Sequence, residues 1–178
     1  MKNQISNILK KYVDEFAFVS TNEYIQTRSS LQKEDVFNDY SKFDGFKTII
    51  TLGIGYPSKT ISNKDKTIGL LSRYSYGTDY HIVFRKILSE VETELQSIGI
   101  KTLSSVDTGF VDERWASYVS HMGFLGKNQF IITKDLGSYL YLATILIDIE
   151  IEKEFSILDS CGECKLCVNA CPTNALDG

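Results

Sequence analysis

The sequence predicts a mixed fold, an α/β or α+β sandwich that ends in a short cysteine-rich tail. Stretches with helical periodicity alternate loosely with β-branched runs over most of the chain. One pair of strand-like runs is joined by a short turn, and all four cysteines of the 178 residues lie together near the C-terminal end. A hydrophobic content of 43% at this length supports one main core with a small appended module, and is too little for two full domains.

Ile5, Ile8, Leu9, Tyr12, Val13 and Phe16 recur at helical spacing, so the chain opens as an amphipathic helix running into Phe16-Ala17-Phe18-Val19. Residues 20–45 turn polar and end at the turn signal Asp44-Gly45. Lys47 to Ile54 is a β-branched run that reads as a buried strand, closed by Tyr56-Pro57. From Asp79 to Ile98, Ile82, Val83, Ile87, Leu88, Val91 and Leu95 mark one face of a long helix, with Gly99 as its stop. A strand is expected at Lys101 to Val106 and a shorter helix at Asp112 to His121. Gln129 to Thr133 and Ser138 to Ile149 read as two strands joined by the turn Lys134-Asp135-Leu136-Gly137, which makes a hairpin. The second of these is apolar on both faces and belongs at the centre of a sheet.

Nineteen Lys and Arg against 23 Asp and Glu give a net charge of −4, which does not suit a nucleic-acid clamp. No apolar run approaches the ~20 residues that span a bilayer, and no repeat or low-complexity segment stands out. The first 13 residues form an amphipathic stretch interrupted by Lys10 and Lys11, unlike a signal peptide, so a soluble cytoplasmic protein without a membrane partner is expected.

Cys161, Cys164, Cys167 and Cys171, followed by Pro172, spell C-x-x-C-x-x-C-x-x-x-C-P. Iron–sulfur cubanes take soft thiolate ligands, and two-residue spacers let one tight loop aim three of them at a single cluster. Structural zinc more often uses two separated cysteine pairs, and disulfides need an oxidising compartment. The run therefore reads as a 4Fe-4S site. In two-cluster modules the cysteine before proline serves the other cluster. Residues 156–178 are thus expected to be the first, incomplete half of a ferredoxin-type module behind a main domain of residues 1–155, holding no stable pair of cubanes.

Four further blocks, Ser72 to His81, Val106-Asp107-Thr108 with Glu113-Arg114, Gly123 to Asn128 and Gly137-Ser138, together with the cysteine run resemble the epoxyqueuosine reductase family in order and spacing. The resemblance covers residues 47–178 and more faintly the N-terminal helix and strand. It implies a cobalamin- and iron–sulfur-dependent reductase that removes the epoxide oxygen of epoxyqueuosine in tRNA. It also implies a catalytic domain similar to flavin-reductase and cobalamin-reductase folds, an electron donor protein, and tRNA as partner of the complete enzyme. The family continues into a second cysteine motif and a helical-repeat region, its segment before Thr48 is longer, and it carries other residues at His121 and Phe124. A truncated copy or a short divergent relative, unable to act alone, is the expectation.

On position alone Asp107 reads as a turn cap before Gly109, whereas the resemblance makes it the general acid that protonates the departing oxygen. A free Asp titrates near ~3.9, so that role asks for burial or a neighbouring charge. The resemblance also assigns Arg73, Gly126, Lys127 and Asn128 to the rim of a large cofactor with amide and phosphate groups, and Tyr56, Tyr80, His81 and Ser138 to the same pocket. By itself His81 reads as a helix-start residue and is not expected to ligate cobalt. Glu113 and Arg114 read as a structural pair at a helix start, and Phe110, Trp115, Tyr118 and Phe124 as core rather than a base-stacking platform. Two other functions remain open from sequence: an electron-transfer iron–sulfur protein without a tRNA substrate, and a cobalamin-dependent reductase of another small molecule.

Overall fold

Two strands that are apolar on both faces set the centre of the molecule. The computed structural model describes residues 1–31, 40–56, 59, 65, 67–107, 109–154 and 159–176; Pro57, Thr108 and the expected boundary at 155–156 lie outside these. Strand β1 spans Glu15–Ser20, β2 Thr48–Gly55, β3 Thr102–Ser105, β4 Phe124–Leu125, β5 Ile131–Ile132 and β6 Leu140–Ile147. The main sheet runs β1-β2-β6-β3 with every pair antiparallel. Ile49, Ile50, Leu52, Ile145, Leu146 and Ile147 are fully buried, as expected of strands covered on both faces.

Helices cover each side. On one face α1 (Lys2–Leu9) and α3 (Tyr80–Ser97) pack Ile5, Leu9, Phe84, Leu88, Val91 and Leu95 against Phe18, Ile50, Leu52, Ile145 and Ile147. On the other, α2 (Thr21–Ser29) and α4 (Glu113–Val119) bring Tyr24, Ala116 and Val119 onto Val19, Ile49 and Leu146, with Phe43 and Phe46 alongside. Successive strand residues alternate between these two cores, the period-2 signature of a three-layer arrangement. A five-residue helix, α5 (Leu166–Ala170), lies within the cysteine run.

The ends of helix α3 match their sequence signals, but its buried face is turned from the expected one: Ile82 and Val83 are exposed and Ile87 is half-buried, while Phe84 packs on the sheet in line with Leu88, Val91 and Leu95. Asp79 caps it by accepting the backbone N–H of His81, and Phe84, Leu88, Val91 and Leu95 form its buried stripe. At its end Ile100 N–H bonds the Leu95 carbonyl and Gly99 N–H that of Gln96, with Gly99 at φ 83°, which is a Schellman motif.

Three further expectations are corrected. The first helix stops at Leu9, and Phe16 belongs to β1, where Asp14 binds the N–H of Gly55 beside the strand. The polar segment after residue 20 holds α2, whose Ser20 Oγ accepts the N–H of Glu23, the Ser-x-x-Glu arrangement of a helix start. The hairpin of residues 129–149 does not form as one sheet: the turn closes through Thr133 and Gly137, but β5 pairs with β4 while β6 enters the main sheet. Gly123 permits the β4–β5 pairing, since a Cβ there would lie 2.6 Å from the Ile132 carbonyl oxygen.

Candidate active site

Beyond the ends of β2, β3 and β6 a cavity of about 340 Å³ is lined by Tyr56, Tyr74, Tyr80, Asp107, Glu113, Ser138 and Tyr141 among others. Its wall is a stack of tyrosines. Tyr80 lies parallel to Tyr141 with ring centroids 4.7 Å apart, Tyr56 tilts against Tyr141 at 4.8 Å, and Tyr74 leans on both Tyr80 and Tyr141. The Tyr141 hydroxyl donates to the Tyr74 carbonyl, and the Tyr56 hydroxyl to the Ser138 carbonyl at 3.4 Å. Burial raises the pKa of Tyr56, Tyr80 and Tyr141, so these phenols stay protonated. An adjoining hollow of about 290 Å³ shares Tyr56 and Tyr74 and adds the exposed Leu70 and Leu71 together with Arg73. Arg73 lies over the Tyr139 ring and donates from Nη2 to its hydroxyl at 2.7 Å.

Asp107 sits just after β3 at φ 59°, a left-handed conformation uncommon outside glycine. No turn-capping bond is found for its carboxylate among the described residues; its Oδ2 meets His81 Nε2 at 3.0 Å. His81 Nδ1 in turn meets Asp79 Oδ1 at 2.8 Å, so the first turn of α3 presents an Asp–His–Asp line ending at the cavity. The hydrogen bond to Asp107, followed by that to Asp79, raises the imidazole pKa and favours the imidazolium, which can donate to both carboxylates.

Glu113 does not pair with Arg114. It faces the cavity, and its Oε1 is buried without a hydrogen-bond partner, while Arg114 reaches the Gln129 carbonyl. Burial, reinforced by the charges of Asp112 and Asp107 and opposed by backbone N–H groups, pushes the Glu113 carboxyl up to about 8. Asp112 is anchored beneath: its Oδ1 caps α4 through the Trp115 N–H, and its Oδ2 lies 3.4 Å from the Nε of buried Arg28.

Of the residues assigned by resemblance, Tyr56, Tyr80, Asp107 and Ser138 share this cavity, His81 touches it through Asp107, and Arg73 lies next door. Gly126, Lys127 and Asn128 are elsewhere, in the loop joining β4 to β5. Gly126 N–H bonds the Phe130 carbonyl and Asn128 Oδ1 accepts the Phe130 N–H. Lys127 faces the cysteine run, giving its backbone N–H to Cys161 Sγ at 3.5 Å and its ammonium to the Gly162 carbonyl at 3.2 Å. Because Phe130 and Ile131 line the cavity, this one loop links its wall to the first cysteine. Sequence reasoning did not assign Tyr74, Tyr139, Tyr141 or the acid role open to Glu113. Tyr74 lies within a block that carries the resemblance, but nothing in the sequence marks Tyr139 or Tyr141 as part of the wall.

The four cysteines are free thiols on an exposed or half-buried segment, and the turn Cys161–Cys164 is closed by the Cys164 N–H to the Cys161 carbonyl with Gly162 at φ 47°. The Thr173 hydroxyl and nearby amides draw the Cys171 thiol down to about 7. Four soft donors at this spacing fit an iron–sulfur cluster, although among the described residues no three metal-binding side chains are yet gathered around one point. The open aromatic wall, the exposed leucines and Arg73 fit a large flat cofactor with a polar rim.

Residues 40–108 match the family model described as epoxyqueuosine reductase QueG, DUF1730, and residues 157–177 match the 4Fe-4S binding domain. Epoxyqueuosine reductase of Staphylococcus aureus is 38% identical over 141 residues, covering 74% of this chain and 36% of the relative. The structure of epoxyqueuosine reductase from Streptococcus thermophilus superposes with a TM-score of 0.84 at 27% identity, over 100% of this chain and 54% of that one. A crystal structure of an epoxyqueuosine reductase with an epoxyqueuosine-modified tRNA stem loop gives 0.83 at 31% identity, over 98% and 52%. The chain thus spans between about a third and about half of the proteins it matches. No helix among the described residues is long and apolar enough to cross a membrane.

Proposed function

The chain belongs to the epoxyqueuosine reductase family, and from that premise we propose that its cavity is the chamber in which the epoxide oxygen of epoxyqueuosine in tRNA is removed by reduction. One observation carries the reading. A single cavity has Asp107 at one side and, at the other, the loop of residues 126–131 that holds Cys161, so an acid and an electron entry point meet on the same walls.

Opening an epoxide leaves a strongly basic alkoxide oxygen, and Asp107 is placed to give it a proton. His81 refills Asp107 through the Nε2 contact, and Asp79 fixes the ring so that Nε2 points that way. The tyrosine wall presents flat apolar surface against which a planar group can lie. Tyr56, Tyr74, Tyr80, Tyr141 and Arg73 would hold cobalamin, which would supply a strongly reducing metal centre. The cysteine segment carries a 4Fe-4S cluster fed by an electron donor protein, and Lys127 ties it to the cavity wall. A cytoplasmic site of action and a relation to flavin- and cobalamin-processing reductase folds are part of the same proposal.

The test is incubation of the reconstituted protein with cobalamin, a chemical one-electron reductant and an epoxyqueuosine-bearing stem loop, followed by mass analysis of the nucleosides. A product lighter by one oxygen atom is expected. An unchanged nucleoside, alongside reduction of free small-molecule epoxides or halides, would assign the cavity to another substrate.

A further inference from the structure

Reducing an epoxide to an alkene takes two electrons and two protons: two C–O bonds break, one C=C π bond and two O–H bonds form, and the oxygen leaves as water. A one-electron donor protein acting twice through the cluster segment supplies the electrons. The first proton goes to the alkoxide. The second is needed when the remaining C–O bond breaks, because hydroxide is a poor leaving group and water a good one. The Asp79–His81–Asp107 line delivers protons at one point of the cavity.

We propose that Glu113 is the second proton donor of the cavity, standing protonated at neutral pH and delivering its proton to the departing oxygen. This rests on the epoxide reading above and adds to it a residue that the sequence marked chiefly as a structural partner of Arg114 and as a weak catalytic candidate.

Glu113 opens α4 and shares the cavity with Asp107. Its Oε1 is out of solvent contact and has no hydrogen-bond partner, a setting that penalises a carboxylate and leaves the neutral acid favoured. The charged groups around it push the same way. Asp112, the preceding residue, is negative, and its counter-ion Arg28 lies against Asp112 Oδ2. Asp107, on the same cavity wall, adds a second carboxyl group that disfavours charge on Glu113. Arg114, the adjacent cation, is exposed and bonded to the Gln129 carbonyl. From α3 and β6, Tyr80 and Tyr141 contribute phenols kept neutral by burial, as does Tyr56 beyond β2. The resulting acid, with a pKa of about 8, holds a proton through the neutral range and remains far stronger than the alkoxide or hydroxide it would meet. Oε1, without a partner of its own, is available to a bound substrate, while backbone N–H groups hold the carboxyl in place.

The test pairs a spectroscopic titration with kinetics. Carbon-13 labelling of glutamate side chains should reveal one carboxyl titrating near 8, absent in Glu113→Gln. In single-turnover reduction of the modified stem loop, Glu113→Gln should be slower by about 10²-fold and should lose the alkaline fall-off of the wild-type rate, whereas Glu113→Asp should recover part of the rate. Near-ultraviolet circular dichroism checks that the Gln variant keeps its packing. If every glutamate titrates below 6, or Glu113→Gln turns over at the wild-type rate with the same pH profile, the proposal is overturned. A wild-type protein whose Glu113 titrates near 8 but which leaves the stem loop unchanged would instead overturn the epoxide reading, and the donor role would fall with it.

Discussion

Replacing Glu113 by Gln should make the protein more stable at neutral pH, and the gain should grow with pH in a defined way. In the unfolded chain the carboxyl has its ordinary value of 4.5, and in the folded protein about 8. Between those values the folded state binds a proton that the unfolded state has released, so wild-type stability falls as pH rises, by about 1.4 kcal/mol per pH unit. Below about 4.5 both forms are protonated and Glu behaves much like Gln. At pH 7 the variant should be ahead by about 3 kcal/mol, and by pH 8 the difference should approach a ceiling of about 5 kcal/mol, lowered to the extent that water reaches the second carboxyl oxygen. Urea unfolding of both proteins at pH 5, 6, 7 and 8 measures this directly, because contributions from all other titrating groups cancel in the difference. Two stability curves that run parallel across this range would refute the buried, protonated state of Glu113 and everything built on it.

His81 should titrate above its ordinary value of 6.5 because two carboxylates hold the imidazolium; proton NMR resolves it from the only other histidine, and Asp107→Asn should lower its midpoint. The stability it contributes is fully present below the unfolded pKa and is lost as pH rises through the folded one, opposite to a carboxylate paired with a cation. Gly123→Ala should cost about 1–3 kcal/mol in denaturant unfolding, since its Cβ would press on the Ile132 carbonyl and strain the β4–β5 pairing. Cys161→Ser should lower iron retained after anaerobic reconstitution, measured by iron and sulfide analysis, with the fold of residues 1–154 unchanged by far-ultraviolet circular dichroism.

The elements that could be read from the chain are those whose side-chain period is long and whose ends are chemically marked. Helix α3 has a buried apolar stripe from Phe84 to Leu95 between its end signals Asp79 and Gly99, β2 is a β-branched run, and β6 is largely apolar on both faces. Helix α2 was hidden because its nine residues are polar and its burial falls on Thr21, Tyr24 and Arg28, although Ser20 and Glu23 carried the start signal. The β4–β5 pairing rests on two residues per strand and on the missing side chain of Gly123, which no periodicity reveals.

The site divides similarly. The cysteine spacing is local and could be read directly. The tyrosine wall joins Tyr74 to Tyr141, 67 positions away, and exists only once α3 and β6 are side by side. The acid character of Glu113 comes first from burial, which the sequence does not reveal, and then from the charges of Asp112 beside it and of Asp107, which the fold brings against it. Lys127 carried the right chemistry for a polar rim, but the loop that holds it turns toward Cys161.

The most direct test of the cavity as the reaction chamber is single-turnover conversion of an epoxyqueuosine stem loop by wild type and by Asp107→Asn, at equal cobalamin and iron loading. A rate at least about 10²-fold lower in the variant, with cofactor binding intact, is expected. Equal rates in the two proteins would place the proton delivery, and with it the chemistry, somewhere else.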